Sequence, residues 1–152
     1  MATISIVPET PVTALLQKAV ANTSYLTFLT LNAHWNVIGS DFFQLHKAFN
    51  DQYDALFDTI DLLAERIRAL DNFVMVNLGK FDSIAGMPSL TAPFTAQDAV
   101  STLIAAHGKN IDDLKYLIAV AGNVNDLTTQ NMIMNIVESE QKIVWMLKSY
   151  LK

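Results

Sequence analysis

The chain contains no cysteine. Disulfide staples and thiolate metal sites are therefore excluded, and any metal must be held by imidazole, carboxylate or neutral oxygen. Positive charge is scarce: 10 Lys+Arg face 15 Asp+Glu, for a net charge of −5. That balance argues against non-specific nucleic-acid binding, which depends on clustered cations. Charged residues of both signs make up only 16%. This is low for a monomer with every face in water and points to buried subunit interfaces. No apolar run approaches the length of a membrane span, and the opening MATISIVPET lacks the basic region and long apolar stretch of a secretory leader. The expectation is a cytoplasmic protein. Histidine is also rare, with three in the chain.

What remains is 152 residues that are 51% hydrophobic, enough for a single domain over residues 1–152 with a sizeable core. Four long segments carry helical periodicity. The first runs from Pro11 to about Asn36, with Thr10 as its cap, Pro11 in its first turn, and Leu15, Ala19, Leu26, Leu29 and Ala33 on an apolar side. Gly39 ends it, and Ser40 or Asp41 can cap the next. The second, Phe42 to about Leu70, repeats Leu45, Phe49, Leu56, Ile60, Leu63, Ile67 and Leu70 mostly at steps of three and four. Asn72 to Pro93 is broken by glycine and proline and holds at most one short helix. Thr95 and Asp98 have capping-box spacing and open a third helix to about Ala121, ended by Gly122-Asn123. A fourth runs from about Asp126 to Leu151. No internal repeat or low-complexity tract interrupts this order. Two hairpins joined by one long crossover describe an all-α, ferritin-like four-helix bundle.

Two of the three histidines, His34 and His46, flank the first turn. Each lies about five residues from it on antiparallel helices, so they stand at similar height. The second helix carries Asp54, Asp58, Asp61 and Glu65 in a row at steps of four, three and four. Such neighbours repel by a few tenths of a kcal/mol per pair, and Arg68 offsets only one end. With Phe49 and Ile67 at 0°, His46 falls near ~60°, Asn50 near ~100°, Asp61 near ~120° and Glu65 near ~160°. All lie on one flank of the stripe. Asp61 is fifteen residues beyond His46, roughly 22 Å along the helix, whereas metal–ligand bonds are about 2 Å. One chain thus holds two half-sites, and an antiparallel two-fold dimer would bring each onto its complement. Taken singly, each histidine reads as a capping or core residue, the acids as solvated and Trp35 as core. His107 reads as structural, with no carboxylate partner evident.

The stretch HWNVIGSDFFQLHKAFNDQYDALFDTIDLLAERIRAL resembles the signature of the Dps family, the dodecameric miniferritins of bacteria and archaea. The matching residues are His34 to Val37, Gly39, Phe42-Phe43, Leu45-His46, Tyr53, Asp61 and Ala64 to Arg66; the ending IVWMLKSYL is similar too. The resemblance implies a hollow shell of twelve subunits with ferroxidase centres at two-fold interfaces. There iron(II) would be oxidised, preferentially by hydrogen peroxide, and stored inside as ferric mineral. By position, His34 of one subunit would join Asp61 and Glu65 of its neighbour, His46 would help hold a second iron, and Trp35 would sit beside the centre to take up an oxidising equivalent. Imidazole and carboxylate equally suit Zn or Mn.

Three departures matter. Asn50 stands four residues after His46, where the family often has Asp or Glu, and Asp51 is about 100° round the helix. The acids often found near the start of the last helix, around an iron-admitting pore, are reduced to Asp126 within NDLTTQN. The first cationic side chain is Lys18 and the last residue is Lys152, with no lysine-rich arm. A DNA-compacting role is therefore disfavoured. A Dps-like shell with a weakened centre, binding metal without fast turnover, is the competing expectation. Intrachain di-iron chemistry is disfavoured because paired Glu-x-x-His helices are absent.

Overall fold

The computed structural model describes residues 7–152. The opening run read as carrying no secretory leader falls partly outside the described residues. Among those described there is no strand. Helix α1 spans Pro11–Asn36 and α2 spans Phe42–Ala69; a 3-10 turn, Leu78–Lys80, leads into the short α3, Phe81–Ala85. Then come α4, Ala96–Asn123, and α5, Leu127–Tyr150. The principal pairings are α1 with α2 and α4 with α5, and α1 also packs against α4 and α3. The result is the expected all-α four-helix bundle, two hairpins joined by a crossover. No helix is long and apolar enough to cross a membrane among the described residues.

Local chemistry explains the helix starts. Thr10 accepts from the Thr13 amide while Thr13 reaches back to the Thr10 amide, and Pro11 occupies the first helical position. Thr95 and Asp98 form the expected box at α4. Asp126 caps α5 through the Thr129 amide. Asp41 precedes α2, but its side chain does not cap. Its carboxylate instead accepts from the Tyr150 hydroxyl at 2.9 Å, tying the first turn to the end of α5 and holding that phenol above its ordinary range. Helix α4 does not stop at Ala121. Gly122 and Asn123 complete its last turn, and the reversal falls on Asn125, at φ 59°. A Cβ at Gly122 would displace the end of the Gln130 side chain, whose amide donates to the Ile118 carbonyl.

Helix α1 differs from its expected one-sided pattern. It is buried on most of its circumference, including Asn22, Thr23, Ser24, Thr27 and Thr30. The hydroxyls of Ser24, Thr27 and Thr30 donate to the carbonyls of Val20, Thr23 and Leu26, each 2.7–2.8 Å away. Returning to the helix's own backbone lets polar residues be buried without foreign partners. Helix α2 is strongly two-sided. Leu45, Phe49, Leu56, Leu63 and Ile67 are buried, while Asp54, Asp58, Asp61 and Glu65 are exposed.

The apolar core is divided in two along the bundle. Near the α1–α2 turn it is built on Leu26, Leu29, Phe49, Leu56, Val100 and Leu103. At the other end it is built on Leu16, Val20, Leu63, Ile67, Leu114 and Ile133.

Candidate metal centre

His34 near the end of α1 and His46 in the first turns of α2 come together as the register requires. Their rings stack with centroids 3.8 Å apart and planes 18° from parallel. The Nδ1 of His34 lies 2.8 Å from the His46 carbonyl, and the Nδ1 of His46 lies 2.9 Å from the His34 carbonyl. A carbonyl oxygen only accepts, so each Nδ1 carries the proton and donates. In the neutral imidazoles the lone pair is then fixed at Nε2 on both rings. A metal-binding histidine needs this arrangement, with one nitrogen anchored and the other free to ligate.

Aromatic residues frame the pair. The Phe42 ring stacks on His46 with a centroid separation of 4.9 Å, and the Tyr53 ring stands edge-on to His34 at 5.2 Å. Sequence reasoning gave neither a role. Phe42 is four residues before His46 and Tyr53 seven after it, so helical spacing alone places both on its face.

Asn50 is fully engaged. Its Oδ1 accepts from the Tyr53 hydroxyl at 2.7 Å, and its Nδ2 donates to Asp54 at 2.8 Å. Asp51 is bound to Lys47 at 2.9 Å in an exposed ion pair, directed away from the histidines.

Asp61 and Glu65 lie further along α2, exposed and without a cation partner among the described residues. Arg68 does not offset the end of the acidic row. Its guanidinium lies 4.2 Å from the Phe73 ring centroid and donates to the Asn72 carbonyl. Because α2 is continuous, the roughly 22 Å between His46 and Asp61 stands. The structure therefore joins His34 to His46 and does not join either to Asp61 or Glu65. Among the described residues, no three His, Asp or Glu side chains gather closely enough to hold a metal ion within the chain.

The face of α2 that carries these acids also exposes large apolar groups. Phe43, Asn50 and Phe57 recur at steps of seven, and Asp54, Asp61 and Glu65 fall within about 40° of Phe43. Phe43 is 83% exposed and Phe57 46%. Trp35 is 63% exposed, so the core reading of that residue is wrong. It lies on the outer surface of α1, next in sequence to His34.

Two further sequence expectations change. Asp126, the one acid near the start of the last helix, is not free. It accepts from Arg66 at 2.9 Å and caps Thr129. Burial alone would push its carboxyl up, but the Thr129 hydroxyl and amide with the Arg66 guanidinium hold it below the ordinary carboxylate range. His107 does have a carboxylate partner: Glu140 on α5, 3.0 Å from its Nδ1.

Comparison with known proteins gives a consistent result. A sequence model of the ferritin-like domain matches residues 13–152. A protein from Brevibacillus brevis named DNA protection during starvation protein is 32% identical over 141 residues, covering 93% of this chain and 95% of that one. The crystal structure of a Dps protein from Bacillus brevis superposes with a TM-score of 0.88 at 32% identity, covering 93% of this chain and 95% of the other. A Dps protein from Vibrio cholerae O1, described as a member of a broad superfamily of ferritin-like diiron-carboxylate proteins, matches with a TM-score of 0.88 at 27% identity. That match covers 93% of this chain and 89% of that one.

Proposed function

The chain belongs to the Dps family of ferritin-like proteins, and from that premise we propose that it is an iron-storing, iron-detoxifying miniferritin working in the cytoplasm. Residues 1–152 act as one domain, and twelve copies enclose the stored ferric mineral. Iron(II) is oxidised at centres shared by two subunits, with hydrogen peroxide as the preferred oxidant.

The observation that carries this reading is the pair of locked imidazoles at one end of α2 and the unpaired acids at the other. Each half is incomplete in its own chain. Two-fold pairing of α2 faces would cover the exposed Phe43 and Phe57 and bring His34 of one subunit to Asp61 and Glu65 of the next. His46 contributes to a second iron position, and Trp35 lies beside the centre as a redox neighbour. Two iron(II) ions each give one electron. One peroxide accepts both, its O–O bond breaks, and the iron(III) leaves the centre to hydrolyse as ferric oxyhydroxide with release of protons. Three or four protein ligands leave positions for water and oxidant. Zinc or manganese would occupy the same donor set.

The competing reading, a sequestering shell with a weakened centre, is favoured by Asn50. Both ends of its amide are used by Tyr53 and Asp54, so it is not poised as a ligand. Initial rates of iron(II) oxidation with peroxide and with oxygen separate the two. A ferroxidase gives a saturable rate, faster with peroxide, that falls at least about tenfold in Glu65→Ala, as loss of an interaction of 1.4 kcal/mol or more would produce. A rate unchanged by Glu65→Ala would remove these residues from the reaction.

A further inference from the structure

Inside the bundle lies a second constellation that the interface chemistry does not use. His107 and Asn110 on α4 and Glu140 on α5 are all buried. The Glu140 carboxylate accepts from His107 Nδ1 at 3.0 Å and from Asn110 Nδ2 at 2.6 Å. These residues occupy the gap between the two halves of the core: Ala106 belongs to one half and Ile111 to the other. Helix α1 runs antiparallel to α4 and brings Asn22 and Thr23 to the same layer. The Asn22 Nδ2 donates to Asp113, one turn along from Asn110.

Four buried polar atoms in this layer have no partner: His107 Nε2, Asn110 Oδ1, Asn22 Oδ1 and Thr23 Oγ1. Buried polar groups are rarely left so, and four in one layer mark a place for an ion or an ordered water to bind. The chemistry is mostly one-sided. The two amide oxygens carry only lone pairs, and the Thr23 hydroxyl carries lone pairs together with one O–H donor. The Nδ1 proton of His107 is committed to Glu140, so the neutral ring presents a lone pair at Nε2. Surplus lone pairs beside a buried carboxylate are the surroundings a cation requires.

We propose that this layer is a divalent-cation site contained within one chain. His107 Nε2 is its anchoring ligand, the oxygens of Asn110, Asn22 and Thr23 complete the donor set, and zinc or iron(II) is the class of ion that suits one imidazole with neutral oxygens. Glu140 is a positioning residue. It fixes the tautomer of His107 and balances part of the ion's charge, the arrangement in which loss of the carboxylate weakens metal binding about 10–100-fold. With one imidazole and no directly ligating carboxylate, the site binds more weakly than the interface centre and fills after it.

Equilibrium dialysis of the assembled protein against zinc(II), with bound zinc counted per chain, tests this. The background is the variant His34→Ala, His46→Ala, Asp61→Ala, Glu65→Ala, in which His107 is the one histidine left in the chain. His107→Gln in that background lowers bound zinc by one ion per chain, whatever else the chain retains, and Glu140→Gln weakens the same ion about 10–100-fold. No drop on His107→Gln overturns the proposal. X-ray absorption of zinc in that background variant reads the site with His107 in place. One imidazole in the ligand shell supports it, and an oxygen-only shell, or no zinc retained at saturation, overturns it.

Discussion

His34 and His46 each lock the other's ring: the His34 carbonyl is left available by the last turn of α1, and the His46 carbonyl, inside α2, accepts through its second lone pair. The pairing was legible in the sequence because both residues are counted from one short turn, so their heights are fixed by helix rise alone. The partner of His107 was not legible. Glu140 is 33 residues away on another helix, and the rotation of α5 against α4 depends on packing that no local spacing encodes. Asn50 was legible as a departure, but its tether to Tyr53 and Asp54 was not. That tether yields a prediction with two signs. Asn50→Asp places a carboxylate beside Asp54, replacing an N–H donor with a repelling charge, and lowers metal-free stability by about 0.5–1 kcal/mol. The same carboxylate adds an anionic ligand beside His46. Thermal melts with and without zinc(II) read both effects: the melting temperature of Asn50→Asp lies below wild type without metal and gains more from zinc than wild type does.

At the scale of elements, α2 was read well because one side is apolar and the other acidic. Helix α1 was not, because buried threonines and serines that bond their own backbone look polar in a sequence and behave as core. Boundaries followed the capping chemistry. Thr95 with Asp98 was correct, whereas Asp41, equally suited to cap, is diverted to Tyr150. The start of α5 carries a pH dependence. Asp126 caps the helix, pairs with Arg66 and titrates below its ordinary value of 3.8. A carboxyl depressed in the fold contributes stability that is present above its unfolded pKa and lost as pH falls through the folded one. Asp126→Ala therefore costs about 1–2 kcal/mol at neutral pH, through the lost cap and the unpaired Arg66. The gap between variant and wild type narrows once the pH falls below about 4, where wild type also loses the charge. Melting temperatures measured from pH 7 to pH 3 check both the size and the direction.

At the scale of the whole molecule, the low share of charged residues finds its counterpart in a surface that exposes Trp35, Ile38, Phe43 and Trp145. Burying such a surface between subunits would leave an assembly that is acidic overall, since each chain brings a net charge of −5. We therefore predict that random duplex DNA is not bound near neutral pH; a gel shift at low salt should show free DNA at protein concentrations in the micromolar range. The proposed shared centre carries a prediction at the scale of the assembly. Consider His34→Ala and Asp61→Ala, each inactive as a pure assembly, unfolded together and reassembled. By two-fold symmetry about half of the dimers pair one variant with the other. In such a dimer one centre carries both lesions and the other carries neither, so about one quarter of all centres are intact. Initial iron(II) oxidation should return to about that fraction of wild type, provided the centres act independently. A centre built within one chain would keep a lesion in every copy. No recovery in mixed assemblies of confirmed size would contradict the shared centre and the pairing of His34 with Asp61.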